Sequence, residues 1–290
     1  MQARYARGVQ GTVLVISPHL DDAVLSIGGS IAAWTSAGTR VVIASVYTTG
    51  PALEELAPAM RKFADYATRR AEDDAACAVV GAEVRRLDQV ERAFRPPFLT
   101  GWSFFSTPDD RAGFGTLDRV TAALEALAPL SPDHVLVPLG IGNHIDHVEA
   151  MLAATDWAEA HGWLDRVRFY EDFYALAGTM RRKHFVTAQH AWPRWQSPTL
   201  RARRLGVILR TIALARRGPP IETYLHPALR HARWAFATSS IHDHEHRKLA
   251  AIRCYASQTR AFGGFAGIAR ALRTYHAWWG RAEPLWRPDL

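Results

Sequence analysis

Val13-Leu14-Val15-Ile16-Ser17-Pro18-His19-Leu20-Asp21-Asp22 is the stretch on which the fold reading turns. Four consecutive apolar residues, three of them β-branched, read as a strand buried on both faces, which is the habit of a central parallel strand. The run ends on an imidazole and two carboxylates. A helical pattern then covers Asp22 to Ala37, with Gly28-Gly29 permitting close backbone approach and Gly38 closing it. A second stretch repeats the arrangement. Val135-Leu136-Val137-Pro138 is followed by Gly142-Asn143-His144-Ile145-Asp146-His147. In open α/β sheets, ligands bind beyond the carboxyl ends of the strands. Both stretches place metal-ligating side chains there.

Between and beyond these runs, strand and helix patterns alternate. Arg40 to Tyr47 reads as a second strand, Thr68 to Val80 as a helix stopped by Gly81, and Val84 to Leu87 as a third strand. Residues 92 to 115 mix Pro, Gly, Trp and Phe and read as a long loop over a site. Leu117 to Leu127 is helical, His134 to Val137 a fourth strand, His147 to His161 helical, and Val167 to Glu171 a fifth strand. The alternation predicts an α/β fold: a Rossmann-like, mostly parallel sheet flanked by helices, with C-terminal additions. One domain is expected over 1–290, with a core of about 12–174, a basic insertion of about 175–221 and a C-terminal part, 222–290. In the last two parts, Leu200 to Arg217 reads as an amphipathic helix through Leu205, Ile208, Leu209 and Ile212, and Glu245 to Tyr255 as another.

Composition narrows the function classes. Hydrophobic residues make up 48% and charged residues 22%, as in ordinary globular chains. Cys77 and Cys254 build no disulfide framework and fit a reducing compartment. No apolar core of signal-peptide length follows Met1–Gln10, and no run is long enough to span a bilayer, so a cytoplasmic location is expected. The net charge of +7 is local. Ten of the 35 basic residues, and none of the 28 acidic ones, lie between Phe173 and Ile221. Such a segment is ordinarily solvated surface; its functional alternative is that residues 181–217 meet an anionic or membrane-presented substrate, with the protein peripheral to the membrane in the latter case. No recognised nucleic-acid module accompanies the charge, and no nucleic-acid partner is expected. The first strand lacks Gly-x-Gly-x-x-Gly, against a nicotinamide dehydrogenase. Oligomeric state has no signature in the chain.

The two strand-end motifs supply the chemistry. A catalytic zinc site takes three protein ligands and leaves a position open to water. His19 and Asp22 are three apart at a strand-to-helix junction and can face one ion, and His147 would be the third ligand. Asp21 projects differently, which suits a general base. His144, three before His147, reaches the same cavity and would stabilise an oxyanion or protonate a leaving amine. Asp146 would orient or charge an imidazole. Each motif alone has a plainer reading, since paired acids after a strand cap helices and a His pair can sit on a solvated helix face. Their joint occurrence after two separate strands points to one metal site. Zn2+ is expected there, with Fe2+, Mn2+ or Co2+ as alternatives.

At these residues the chain resembles the LmbE-like, or PIG-L, family of zinc-dependent N-acetylglucosaminyl deacetylases. The family pattern of an apolar strand, His-Pro-Asp-Asp and a later His-Pro-Asp-His stands here as His19-Leu20-Asp21-Asp22 and His144-Ile145-Asp146-His147. Thr48-Thr49-Gly50, Arg69-Arg70-Ala71-Glu72, Tyr170-Glu171-Asp172 and Lys248-Leu249-Ala250-Ala251-Ile252 with Ser257-Gln258 also look like family segments. Leu20 and Ile145 stand where the family has proline, and Ala23 where many members have glutamate. The resemblance implies His19, Asp22 and His147 as zinc ligands, Asp21 as base, His144 as oxyanion partner with Asp146 as its modulator, and Arg69 as a substrate contact.

The expected function is hydrolysis of an N-acetyl or other N-acyl group on an amino sugar or glycoconjugate. One alternative is an amidase or deacylase acting on a thiol conjugate or natural product. A second is a non-catalytic nucleotide- or sugar-binding α/β module whose acids merely cap helices. Trp102, in the long loop, is a further substrate candidate. His242-Asp243-His244-Glu245-His246 is dense in ligand types but reads as a polar loop capping the following helix.

Overall fold

A computed structural model describes residues 3–4, 10–99, 103–190 and 203–290. Among the described residues, eight strands form one sheet. In chain order they are β1 (Ala3–Arg4), β2 (Thr12–Ser17), β3 (Arg40–Thr49), β4 (Glu83–Val90), β5 (His134–Pro138), β6 (Val167–Tyr170), β7 (Arg233–Ser240) and β8 (Ala282–Asp289). Their spatial order is β1-β7-β8-β6-β5-β2-β3-β4. From β4 through to β6 the ladders are parallel, with Leu14 opposite Val42 on one side and Val135 on the other. The chain leaves β2 towards β3 and β4, then returns to lay β5 on the far side of β2. That reversal opens a crevice at the carboxyl ends of β2 and β5.

Val13, Leu14, Val15 and Ile16 are all buried, as their continuous apolar run requires. The helices are α1 (Asp22–Ser36), α2 (Pro58–Ala64), α3 (Tyr66–Val80), α4 (Leu117–Leu124), α5 (Ile145–Ala160), α6 (Gly178–Lys183), α7 (Arg203–Ala215), α8 (Pro227–Arg230), α9 (Glu245–Cys254), α10 (Ala256–Thr259) and α11 (Phe265–Trp278). Helices α1, α3 and α9 pack together, and α4 packs on α5. These groups flank the sheet. The expected fold class is therefore found. The C-terminal additions join the sheet: β7 and β8 extend it and α9 completes a helix layer. Strand β8 runs antiparallel to both of its neighbours.

Helix α1 is broken at Ile27, whose φ of −128° and ψ of 23° leave the helical region. The break frees backbone groups, and a buried ion pair takes them. Glu283 of β8 accepts from the N–H groups of Gly29 and Ser30 (3.2 and 2.7 Å) and from Ser30 Oγ (2.6 Å). Lys248 of α9 donates to Ser26 O (2.9 Å) and to Glu283 (2.7 Å). Gly29 is required here, because a Cβ would lie 2.7 Å from Ile241 Cγ2. The pair Gly28-Gly29 thus does permit a close approach, and what approaches is the C-terminal end of the chain. The short segment before the break carries Asp22.

The basic segment does not form one surface. Arg181 is wholly buried, paired with Glu171 through Nε and Nη2 (2.9 and 3.0 Å). Glu171 also receives Tyr275 OH and Trp286 Nε1. Helix α7 buries Leu205, Leu209 and Ile212 as its pattern predicts, while Arg204, Arg210, Val207 and Leu214 are exposed. Arg194 and Arg201 lie outside the described residues. Among the described residues no helix is long and apolar enough to cross a membrane.

Candidate metal centre

The turn after β2 is fastened by its own side chains. Ser17 Oγ donates to His19 O (2.6 Å) and accepts from Ala23 N (3.0 Å). One oxygen, Asp22 Oδ2, accepts from His19 N (2.9 Å) and lies 2.9 Å from His19 Nδ1 and 3.1 Å from His147 Nε2. After β5, Gly140, Gly142 and Asn143 take left-handed φ values of 72°, 96° and 59°. A side chain at Gly142 would press on Met180 and Tyr174. This tight turn starts α5 so that His144 and His147 face the crevice.

Asp172, beyond β6, completes the frame. Its Oδ1 lies 2.6 Å from His147 Nδ1 and its Oδ2 accepts from Ile141 N (2.9 Å). With the ring proton on Nδ1, as that contact assigns it, Nε2 keeps a lone pair for a ligand. Apart from the 3.1 Å ion-pair contact with Asp22 Oδ2, the buried His147 Nε2 has no hydrogen-bond partner among the described residues. Three strand ends therefore converge on one point.

His19, Asp22 and His147 each offer an atom within 4.8 Å of the other two. Electrostatics favour a cation there. Burial lowers the His19 imidazole, but the Glu91, Asp146 and Asp22 carboxylates outweigh it and hold the group well above its usual value. His147 is likewise buried, yet Asp22 and Asp172 push it up to about 9. Buried carboxylates that draw protons onto imidazoles draw a divalent ion by the same field. The donor set, the free lone pair and the Asp172 backing fit a divalent metal.

Asp21 occupies the N-cap position of α1, but its side chain caps nothing. His144 holds the same position on α5 and caps nothing either. The helix-capping reading of these motifs therefore fails. Burial, and then the Asp22 carboxylate, push Asp21 up to about 6, opposed by Arg69 and His19. Burial and the imidazoles of His147 and His19 hold His144 well below its usual value. Its Nδ1 is a buried atom without a partner among the described residues. Phe105 packs edge-on to its ring and Tyr174 stacks parallel to it.

Asp146 meets His19 Nε2 (3.2 Å) rather than His144, and accepts from Arg92 N (3.1 Å) and Arg95 Nη2 (3.0 Å). Arg69 is buried, donates to Glu91 and to Phe63 O, and lies over the Tyr66 ring. A cavity of about 140 Å³ joins His19, Asp21, Asp22, Arg69, His144 and Tyr174. Every candidate named from sequence except Trp102 thus lies at this site. Trp102 falls outside the described residues. Of the cluster His242–His246, residues 242–244 form a polar turn before α9 and Glu245 and His246 open the helix; the N-cap His244 makes no side-chain cap, and Glu245 reaches His276 Nδ1 (2.7 Å).

Asp172, Arg95 and Glu91 were not singled out as site residues from sequence. Asp172 was findable, since it follows an apolar strand run as Asp21 and Asp22 do. Arg95 lies in an irregular loop and carries no such signal.

The A40926 pseudoaglycone deacetylase Dbv21 superposes with a TM-score of 0.63 at 22% identity, covering 95% of this chain and 96% of that one. A deacetylase triple mutant from the teicoplanin biosynthetic pathway gives 0.66 at 21%, covering 96% and 97%. The conserved protein TT1542 from Thermus thermophilus gives 0.50 at 16%, covering 94% and 92%. At these identities the likeness shows the fold. No curated protein sequence matches the chain. Residues 14–158, half of the chain, match the family described as GlcNAc-PI de-N-acetylase and contain both strand-end motifs. The chain belongs to this PIG-L family of hydrolytic N-deacetylases.

Proposed function

We propose that the protein removes an N-acetyl, or another N-acyl, group from an amino sugar carried on a glycoconjugate, with His19, Asp22 and His147 holding one divalent cation, Zn2+ foremost. The observation that carries this reading is the convergence of those three donors beside Asp21, a buried carboxylate that caps no helix. A cation held there supplies Lewis acidity towards water and an acyl oxygen. Asp21 accepts the proton of the attacking water, and its raised affinity for protons suits that task. The water oxygen bonds to the acyl carbon and the carbon–nitrogen bond breaks, leaving a carboxylate and a free amine. His144, held neutral, steadies by hydrogen bonding the oxygen that gains charge, and the proton taken up by Asp21 passes to the departing nitrogen. Asp172 fixes the His147 ring, Asp146 fixes the His19 ring, and Arg69 contacts the sugar from the pocket wall.

Two deacetylases of like fold are named for A40926 pseudoaglycone and for teicoplanin, which supports a bulky substrate here. The open face of α7, with Arg204 and Arg210 beside exposed Val207 and Leu214, supports an anionic or membrane-presented form of it. The test is amine release from a panel of N-acetyl amino sugars, N-acyl glycopeptides and N-acyl thiol conjugates, each offered free and on anionic vesicles. Turnover confined to the sugar-bearing members is expected, faster on vesicles. Turnover of thiol conjugates alone would replace the substrate reading. Equal rates free and on vesicles would remove α7 from it.

A further inference from the structure

Behind the loop that carries His144 lies a second cavity, of about 260 Å³. Its wall includes Asn143, Lys183, His184, Arg216 and Glu222, and it shares no lining residue with the metal pocket. The two cavities lie on either side of one turn. His144 faces the first, and Asn143, in its left-handed conformation, faces the second.

The charges in this wall are unbalanced. Lys183 stands exposed at the mouth, and Arg216 is half-buried. Neither side chain has a hydrogen bond or ion pair among the described residues, although Glu222 attracts Arg216 from a distance. Burial lowers the Arg216 guanidinium from its ordinary value, so the cation sits where water serves it poorly. His184 adds no charge. Its Nε2 faces Leu139 O (2.9 Å), its Nδ1 accepts from Val186 N (3.3 Å), and burial pushes it down to about 4. A half-buried guanidinium fork beside a lysine and Asn143 is chemistry suited to an oxyanion. A volume of about 260 Å³ accommodates a small oxyanion. The wall shares no residue with the metal pocket, which fits an anion bound apart from the substrate.

We propose that this cavity binds a small free oxyanion, a phosphate or a carboxylate, between Lys183 and Arg216 and against Asn143. Glu222 opposes the anion and sets its affinity low. Binding here does not depend on the deacetylase reading.

Calorimetric titration of the full chain with inorganic phosphate, and separately with malonate, at constant ionic strength tests it. Saturable one-site binding is expected, tighter for whichever of the two anions matches the site. Arg216→Gln is expected to weaken it about tenfold or more, the scale of one lost charge-assisted hydrogen bond. Glu222→Gln is expected to tighten it several-fold, and a gain of affinity does not arise from misfolding. Absence of saturable binding for both anions up to about 10 mM would overturn the proposal. So would equal affinity in the parent and Arg216→Gln, which would place the anion elsewhere, the metal centre included.

Discussion

Asp21→Asn is expected to retain its metal and lose turnover by about a hundredfold to ten-thousandfold, the range supplied by a positioned general base. The substitution preserves shape and one oxygen but removes the capacity to hold a proton. Asp21 lies among the pocket-lining residues and outside the donor triad of His19, Asp22 and His147. Its side chain caps no helix, so folding should change little. Burial and the neighbouring Asp22 raise its affinity for a proton, and both effects act on the carboxylate alone. The measurement is kcat/KM for amine release beside metal content on the same preparation. Metal retained with activity within a fewfold of the parent would remove Asp21 as base. Metal lost together with activity would make it a ligand.

Glu283→Ala is expected to destabilise the fold by about 3–5 kcal/mol, the cost of removing one partner from a buried ion pair. Glu283 and Lys248 are both fully buried, and each also serves backbone groups freed by the break at Ile27 in α1. The alanine variant leaves a buried ammonium without its counter-charge and two N–H groups unserved. Because the segment before the break carries Asp22, weaker metal retention should accompany the loss. Urea unfolding of the parent and of Glu283→Ala and Glu283→Gln checks this, with the amide variant expected to fall between the other two. A change below about 1 kcal/mol for the alanine variant, the size of a routine substitution, would mean that the pair does not hold the break together.

The sheet was legible where its strands are buried on both faces. Val13–Ile16 and Val135–Val137 admit no polar residue, and the residues just past them are where chemistry can be placed. That is why His19, Asp21, Asp22, His144, Asp146 and His147 were readable together. The C-terminal strands were not. Strand β8 contains Pro284 and Pro288, which argue against a strand inside a sheet. It is tolerated because β8 pairs with β6 only at Trp286 and Leu285. Partners far apart in sequence were also hidden. Glu283 reaches Ser30 across 253 residues, and no local pattern announces it. Arg181 reads as surface charge until Glu171, ten residues earlier, is seen to face it in the core. The arginine-rich stretch thus combines structural, cavity-lining and exposed charges that sequence counts as one.

Metal analysis of the parent, His147→Ala and Asp22→Ala tests the metal centre most directly. The parent is expected to hold about one equivalent of divalent metal per chain, and each variant far less, with far-ultraviolet circular dichroism unchanged. A parent that binds no divalent metal when offered it, or a His147→Ala protein that binds as much as the parent, would contradict the account.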